Sequence, residues 1–349
     1  MADKTVTVIG HFGFGKNLLN GQTVKTKILT TALEEELGTQ RVLKIDTRGG
    51  ARRLPDVVFQ AFRAMCRCQN VVILPAHNGL RILAPILSFF SLLTKCRLHY
   101  VVIGGWLPEF LQKRKLLTKQ LKGFAGIYVE TSTMKTALES MGFTNVFLMP
   151  NCKQLRQLGH EDLVYPEVEP YKLCTFSRVM KEKGIEDAVN AVQAVNAAFK
   201  RTVYTLDIYG QVDANQLRWF EDLQKTFPEY ISYGGLVPFD KSVEVLKDYV
   251  ALLFPTYYDG EGFAGTLLDA MASGIPVIAS DWRYNAEIVK EGQTGLLFPA
   301  RDVDALTERL KTIVTDTEKW NEMRPVCLQE AQKYLPEEVI KVLLKRIEA

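Results

Sequence analysis

Two carboxylates, Glu261 and Asp269, flank a glycine-rich bend in "DGEGFAGTLLDAMASGIPVIAS", residues 259–280. Gly262 and Gly265 let the backbone come close to a ligand. The amides of Phe263, Ala264, Gly265, Thr266 and Leu267, at the start of a predicted helix, carry partial positive charge that suits phosphate or sugar oxygens. Glu261, in the bend, suits sugar hydroxyls, and Asp269, inside the helix, suits the vicinal hydroxyls of a ribose. A second cluster lies in "FSRVMKEKGIEDAV", where Arg178 and Lys183 follow a predicted strand and Gly184 precedes a helix. A planar guanidinium fork and an ammonium point charge on one turn can neutralise a diphosphate. The chemistry offered is therefore the holding of phosphates and sugars. Neither acid is clearly placed to attack an anomeric carbon.

Weaker signals surround these two. "GHFGFGK", Gly10 to Lys16, fits most of a phosphate-binding GxxxxGK loop. Asn17 stands where that loop needs a magnesium-binding hydroxyl, and the helical period begins only after Asn20-Gly21. The plainer reading is a flexible glycine loop at a strand end. Gly21 and Gln22 open the next helix, whose first amides suit a phosphate. Asp302 and Asp304 in "RDVDAL" form a DxD string, better explained as a helix cap than as a metal site. The six cysteines include no CxxC pair and read as reduced thiols. His77, followed by Asn78-Gly79 after a strand, either faces a ligand cleft or is a structural histidine, the structural role being favoured.

The elements that must position these groups alternate along the whole chain. "KTVTVIG", "RVLKID", "NVVILPA", "LHYVVIGG", "GIYVE" and "TNVFLMPN" read as strands, nearly continuous in apolar residues, as in a parallel sheet covered by helices on both faces. The helix after the first strand runs through "QTVKTKILTTALEEELG", with Val24, Ile28, Ala32 and Leu33 on one face and Gly38 as its stop. After the polar seam "EDLVYPEVEPY" the alternation restarts with "KLCTFS", "YTLDIYG", "ISYGG", "VALLFP", "PVIAS" and "GLLFP". Two βαβ series predict an α/β protein of two doubly wound, Rossmann-like parallel-sheet domains facing across a cleft, residues 1–165 and 166–330. Residues 331–349 form a C-terminal helix that crosses back to the first domain. In such sheets ligands bind beyond the C-terminal strand ends, which is where both clusters fall.

The glycine-rich segment, with Arg178, Lys183, "MPN" at 149–151 and Glu287-Ile288-Val289, resembles the signature of family 4 of the retaining glycosyltransferases, which have the GT-B fold. The likeness covers the C-terminal half well and the N-terminal half in outline. It departs from the family pattern at Asp269, where relatives carry glutamate, and at Ala264, where they carry glycine. It departs again at Gly104-Gly105-Trp106, where many carry a histidine. The resemblance implies transfer of a sugar, with retention, from a UDP-, GDP- or ADP-sugar bound chiefly by the second domain. The acceptor is a glycan or lipid-linked saccharide in cell-surface polysaccharide or glycoconjugate synthesis. It implies Glu261, Arg178 and Lys183 as the catalytic groups and no metal or other cofactor. Two other readings stay open: a P-loop kinase or ATPase that depends on Lys16, and a non-catalytic relative that binds a nucleotide-sugar.

Composition narrows the partners. A net charge of +3 is too small for a dedicated nucleic-acid binder, so basic character must be local. It is local in "LPEFLQKRKLLTKQLKGF", residues 107–124, which reads as an amphipathic helix carrying Lys113, Arg114, Lys115, Lys119 and Lys122. Together with the apolar block Ile82 to Leu93, this predicts contact with an anionic membrane surface. That block is interrupted by Pro85 and is shorter than the ~20 residues that span a bilayer. The expectation is a cytoplasmic protein, peripheral at the inner face of the membrane.

Overall fold

The computed structural model describes residues 6–15, 21–156, 158–238 and 240–348. Lys16 and Asn17, on which the GxxxxGK reading turns, lie outside them. The chain divides into two compact units, one of Met1–Gln154 with Tyr334–Ala349, the other of Leu155–Lys333.

The first unit holds a six-stranded parallel sheet in the order β2-β1-β3-β4-β5-β6. Its strands are β1 (Val6–Gly10), β2 (Val42–Asp46), β3 (Asn70–Ile73), β4 (Arg97–Val101), β5 (Gly126–Val129) and β6 (Val146–Leu148). Helices α1 (Gly21–Leu37), α2 (Leu54–Met65), α3 (His77–Thr94), α4 (Leu107–Gln112), α5 (Lys115–Leu121) and α6 (Ser132–Ser140) connect them. Every residue of β1, β3 and β5 is buried, which accounts for the unbroken apolar runs.

The buried face of α1 differs from the predicted one. Thr23, Lys25, Thr26, Leu29, Thr30, Ala32 and Leu33 are inside, and Val24 and Ile28 are only half-buried. The threonines can be buried because Thr26 and Thr30 donate to the carbonyls of Gln22 and Thr26. Lys25 can be buried because it pairs with Glu130. The segment 107–124 also differs, being two short helices rather than one. Arg114 breaks it with a non-helical backbone (φ −132°, ψ 63°). Leu107, Leu111, Leu117 and Leu121 then turn into the core.

The second unit repeats the plan with β7 (Tyr171–Phe176), β8 (Tyr204–Tyr209), β9 (Ile231–Gly235), β10 (Ala251–Phe254), β11 (Val277–Asp281) and β12 (Gly295–Pro299), in the parallel order β12-β11-β10-β7-β8-β9. Its helices are α7 (Ile185–Phe199), α8 (Leu217–Gln224), α9 (Ser242–Leu246), α10 (Gly265–Ala272), α11 (Asn285–Ile288), α12 (Val303–Thr315) and α13 (Thr317–Ala331). The unit begins before the predicted seam. Leu158 N–H donates to Ala272 O, and Leu163 packs so closely on Gly274 that a Cβ there would meet it at 2.2 Å.

The last helices, α14 (Pro336–Val339) and α15 (Lys341–Ile347), belong to the first unit. Val339, Ile340, Leu343 and Ile347 join its core. The buried Asn70 donates to Ile347 O at 3.1 Å, and its Oδ1 meets His99 Nε2 at 3.0 Å. Each sheet reverses its winding once, between β1 and β3 in the first unit and between β7 and β10 in the second.

Candidate functional site

At the second reversal the chain leaves β7 toward one edge of the sheet and leaves β10 toward the other. The two connecting loops therefore part beyond the strand ends and leave a gap. A cavity of about 280 Å³ occupies it, lined by Phe176, Ser177, Arg178, Met180, Lys183, Phe254, Tyr258, Glu261, Ala264, Gly265 and Thr266.

Two glycines allow the walls to come so close. Gly184, at φ 69°, lies against the β10 loop, where a Cβ would sit 2.1 Å from Pro255 O. Gly210, at φ 135°, passes beneath the β7 loop, where a Cβ would sit 1.7 Å from Ser177 O. No side chain fits at either place without moving backbone. Tyr257 N–H then donates to Glu182 O at 2.8 Å and ties the two loops together.

That tie brings Lys183 to Glu261. Their Nζ–Oε2 distance is 2.5 Å, with both side chains largely buried. The buried Thr256 hydroxyl donates to the same Oε2 at 2.8 Å. The rings of Phe254 and Tyr258 lie 5.4 and 5.3 Å from the ammonium. Buried charges are tolerated when paired and hydrogen-bonded, and these are. Arg178 is different: its side chain is 60% exposed and reaches Asp213 only at 3.6 Å, a loose surface pair able to move.

Helix α10 starts at the floor of this cavity without a side-chain cap at Ala264. Leu267 N–H donates to Ala264 O, and of the predicted cradle Ala264, Gly265 and Thr266 line the cavity. Thr266 Oγ1 is buried and, among the described residues, has no hydrogen-bond partner. The Lys183 ammonium and the start of α10 thus line one small space, an arrangement that suits a phosphate.

The remaining expected residues fall around it. Gly262 is half-buried, and Phe263 and Leu267 point into the core. Asp269 is 2% exposed, and its Oδ1 accepts from the buried Ser242 hydroxyl at 2.6 Å. Thr256 and Ser242 escaped sequence reading. Thr256 lies three residues ahead of the quoted glycine-rich segment, but nothing local connects Ser242 with Asp269. Asp302 caps α12, accepting from Ala305 N–H at 2.8 Å. All six cysteines are free thiols.

Gly21 and Gln22 belong to the first unit, where the β1/β3 reversal has a cavity of its own. It measures about 260 Å³ and is lined by Gln22, Thr47, Pro75, Ala76, His77, Asn78, Gly79 and Leu83. Gly21 is the first residue of α1, and Gln22 donates to Leu74 O at 3.1 Å. The glycine loop after β1 is already in use. The N–H groups of Phe12, Gly13 and Phe14 donate to the Asp46 carboxylate at 3.0, 3.3 and 3.0 Å. Burial pushes Asp46 up, but N–H groups from Phe14, Arg48, Phe12 and Gly13 outweigh it and hold the carboxyl below its ordinary value. The amides a P-loop would offer to phosphate are thus given to an internal anion. His77 is exposed and stacks on Trp106 at 3.8 Å between centroids, with Phe110 edge-on at 5.3 Å. Partial burial and the Arg114 charge lower its pKa. Beneath, the buried Lys25–Glu130 pair fixes Gly104, whose N–H donates to Glu130 Oε2 at 3.2 Å.

Comparison with known proteins agrees with this architecture. Residues 170–316 match the family described as glycosyl transferases group 1. The GtfA subunit of the UDP-N-acetylglucosamine–peptide N-acetylglucosaminyltransferase of Streptococcus pneumoniae is 28% identical over 188 residues, 52% of this chain and 36% of that protein. A putative colanic acid biosynthesis glycosyltransferase of Salmonella typhimurium is 28% identical over 145 residues, 40% of this chain and 35% of that protein. The matches thus span about a third of each relative's length. Among solved structures, Anabaena HepE in complex with UDP superposes with a TM-score of 0.75 at 13% identity, covering 99% of both chains. The fold is GT-B, and residues 170–316 are similar to the group 1 glycosyltransferases.

Proposed function

We propose that this protein is a retaining glycosyltransferase of family 4 that moves a sugar from a nucleotide diphosphate-sugar to a saccharide or lipid-linked saccharide acceptor, in the synthesis of a surface glycan. The observation that carries the reading is that Arg178, Lys183 and the uncapped start of α10 line the β7/β10 cavity. The diphosphate lies there, and the exposed Arg178 closes over it from Asp213. Lys183 turns part of its charge from Glu261 to the phosphates. Glu261, still held by Thr256, then has an oxygen free to orient a hydroxyl of the transferred sugar. Asp269 holds the ribose by exchanging the Ser242 hydroxyl for those of the nucleotide.

In the transfer, the bond from the anomeric carbon to the diphosphate oxygen breaks and a bond from the acceptor oxygen forms on the same face. The acceptor's proton passes to the departing diphosphate. The two cations and the helix-start amides stabilise the charge growing on that leaving group, and this reading assigns no metal to that task. UDP is the favoured nucleotide, since UDP is what HepE binds and the GtfA relative is named for a UDP-sugar.

A thermal-shift panel of UDP-, GDP- and ADP-sugars, with and without EDTA, tests the proposal. A ligand bound by the folded state raises the melting temperature. The expected result is a rise with UDP-sugars that EDTA does not remove. No rise with any nucleotide-sugar would overturn it.

A further inference from the structure

Helix α3 is apolar on both sides. Leu80, Leu83, Ala84 and Leu87 face the core, as in any surface helix. A second apolar stripe faces outward: Ile82 is 43% exposed, Phe89 59%, Leu92 81% and Leu93 62%. The only charged side chain in the eighteen-residue helix is Arg81. Phe62 of α2 extends the stripe, packing edge-on to Phe90 at 4.9 Å, and on the other flank α5 presents Leu116, 72% exposed. A contiguous outward apolar band marks an interaction surface.

Beside the band runs a groove of about 400 Å³, lined by Arg81, Pro85, Lys113, Arg114, Lys115, Leu116, Leu117 and Gln120. Arg114 is braced over the Phe110 ring at 3.8 Å and donates to Phe110 O. Among the described residues, Arg81, Lys113 and Lys115 have no carboxylate within ion-pair distance, so their charge is offered outward.

We infer that this face rests on the surface of an anionic phospholipid bilayer. The outer α3 stripe enters the headgroup–acyl boundary, and the groove cations take lipid phosphates. Charge complementarity decides the occupant. A second copy docked by a two-fold axis would set the same band, and the same cations, against themselves. A lipid surface supplies apolar depth and negative charge together. No helix among the described residues is long and apolar enough to cross a membrane. Helix α3 therefore lies along the interface. The exposed apolar side chains of this face lie mainly in α3, within the expected block Ile82 to Leu93, and at Leu116, whereas Leu111, Leu117 and Leu121 of residues 107–124 are buried. The inference is independent of the sugar-transfer reading.

Co-sedimentation of the whole chain with vesicles tests it. Phosphatidylglycerol–phosphatidylcholine vesicles should pellet the protein, pure phosphatidylcholine should not, and added salt should weaken binding. Phe89→Ser, Leu92→Ser and Leu93→Ser combined should reduce the partition coefficient at least about tenfold, since each removes apolar area from the contact. Lys113→Ser with Lys115→Ser should weaken binding and flatten its salt dependence. These side chains are exposed, so an unchanged melting temperature shows that each variant is folded. No binding to anionic vesicles, equal binding to neutral ones, or wild-type binding by the apolar variant overturns the inference. So does a concentration-dependent dimer that the apolar variant abolishes while vesicles are ignored.

Discussion

The two sheets reverse at equivalent places and open a cavity of similar size there, yet the cavities differ in chemistry. At β7/β10 the loops carry Arg178, Lys183 and Glu261, and, among the described residues, the start of α10 has no side-chain cap and the Thr266 hydroxyl no partner. At β1/β3 the glycine-loop amides are already spent on Asp46, and His77, Trp106 and Phe110 stack close by. Topology thus fixes where a ligand can enter. What enters depends on whether the loop's polar groups are satisfied from within. An amide that already holds a carboxylate has little left for a phosphate.

Removing the charge that separates the two cavities should have the largest effect. Arg178→Ala and Lys183→Ala should each cost about 1.5–3 kcal/mol of donor binding, the range for charged hydrogen bonds, and the double variant more. Calorimetry with a UDP-sugar checks this. Full affinity in the double variant would remove the distinction between the cavities.

Glu261→Gln should come next, weakening intact donor about tenfold more than free UDP, roughly one charge-assisted hydrogen bond to the sugar. Asp269→Asn should weaken donor and UDP alike. If both substitutions affect donor and nucleotide equally, the two acids are assigned to the wrong sugars.

The smallest effect is expected in the first unit. Asp46→Asn should destabilise that unit by about 1 kcal/mol at neutral pH, for weakened hydrogen bonds to the glycine loop, and leave UDP affinity unchanged. Because folding lowers the Asp46 pKa, its stabilising contribution is present above the ordinary aspartate value and is lost as pH falls through the folded one. The wild-type and variant melting curves should therefore converge in acid. A nucleotide affinity gained or lost in this variant would mean that the glycine loop does bind phosphate.

The strands were readable because parallel strands buried on both faces leave unbroken apolar runs, such as Val6–Gly10 and Ala251–Phe254. Arg178, Lys183 and Gly265 could be singled out because their types limit what they can do, and the structure brings them to one cavity. The pairing of Lys183 with Glu261 was not, because it depends on Gly184 passing against Pro255, a contact between loops distant in sequence. The Asp46 claim on the loop after β1 was hidden for the same reason. Residues 107–124 were misread because leucines at helical spacing look the same in one helix as in two, and only the backbone at Arg114 tells them apart.

The return of residues 334–348 to the first unit bears on the order in which the protein can be made. Asn70 bonds Ile347 O, Arg97 donates to Arg346 O at 2.8 Å, and Leu343 fills the core between them. None of these partners exists when the first six strands leave the ribosome. Residues 155–333 are translated in between, which takes roughly ten to forty seconds at about 5–20 residues per second. Throughout that interval the core that holds Val6, Val42 and Val72 lacks Val339, Ile340, Leu343 and Ile347. The second unit, continuous in sequence, can close on its own before the first is complete. A released chain truncated after residue 333 should resist protease in its later half while its earlier half is cut.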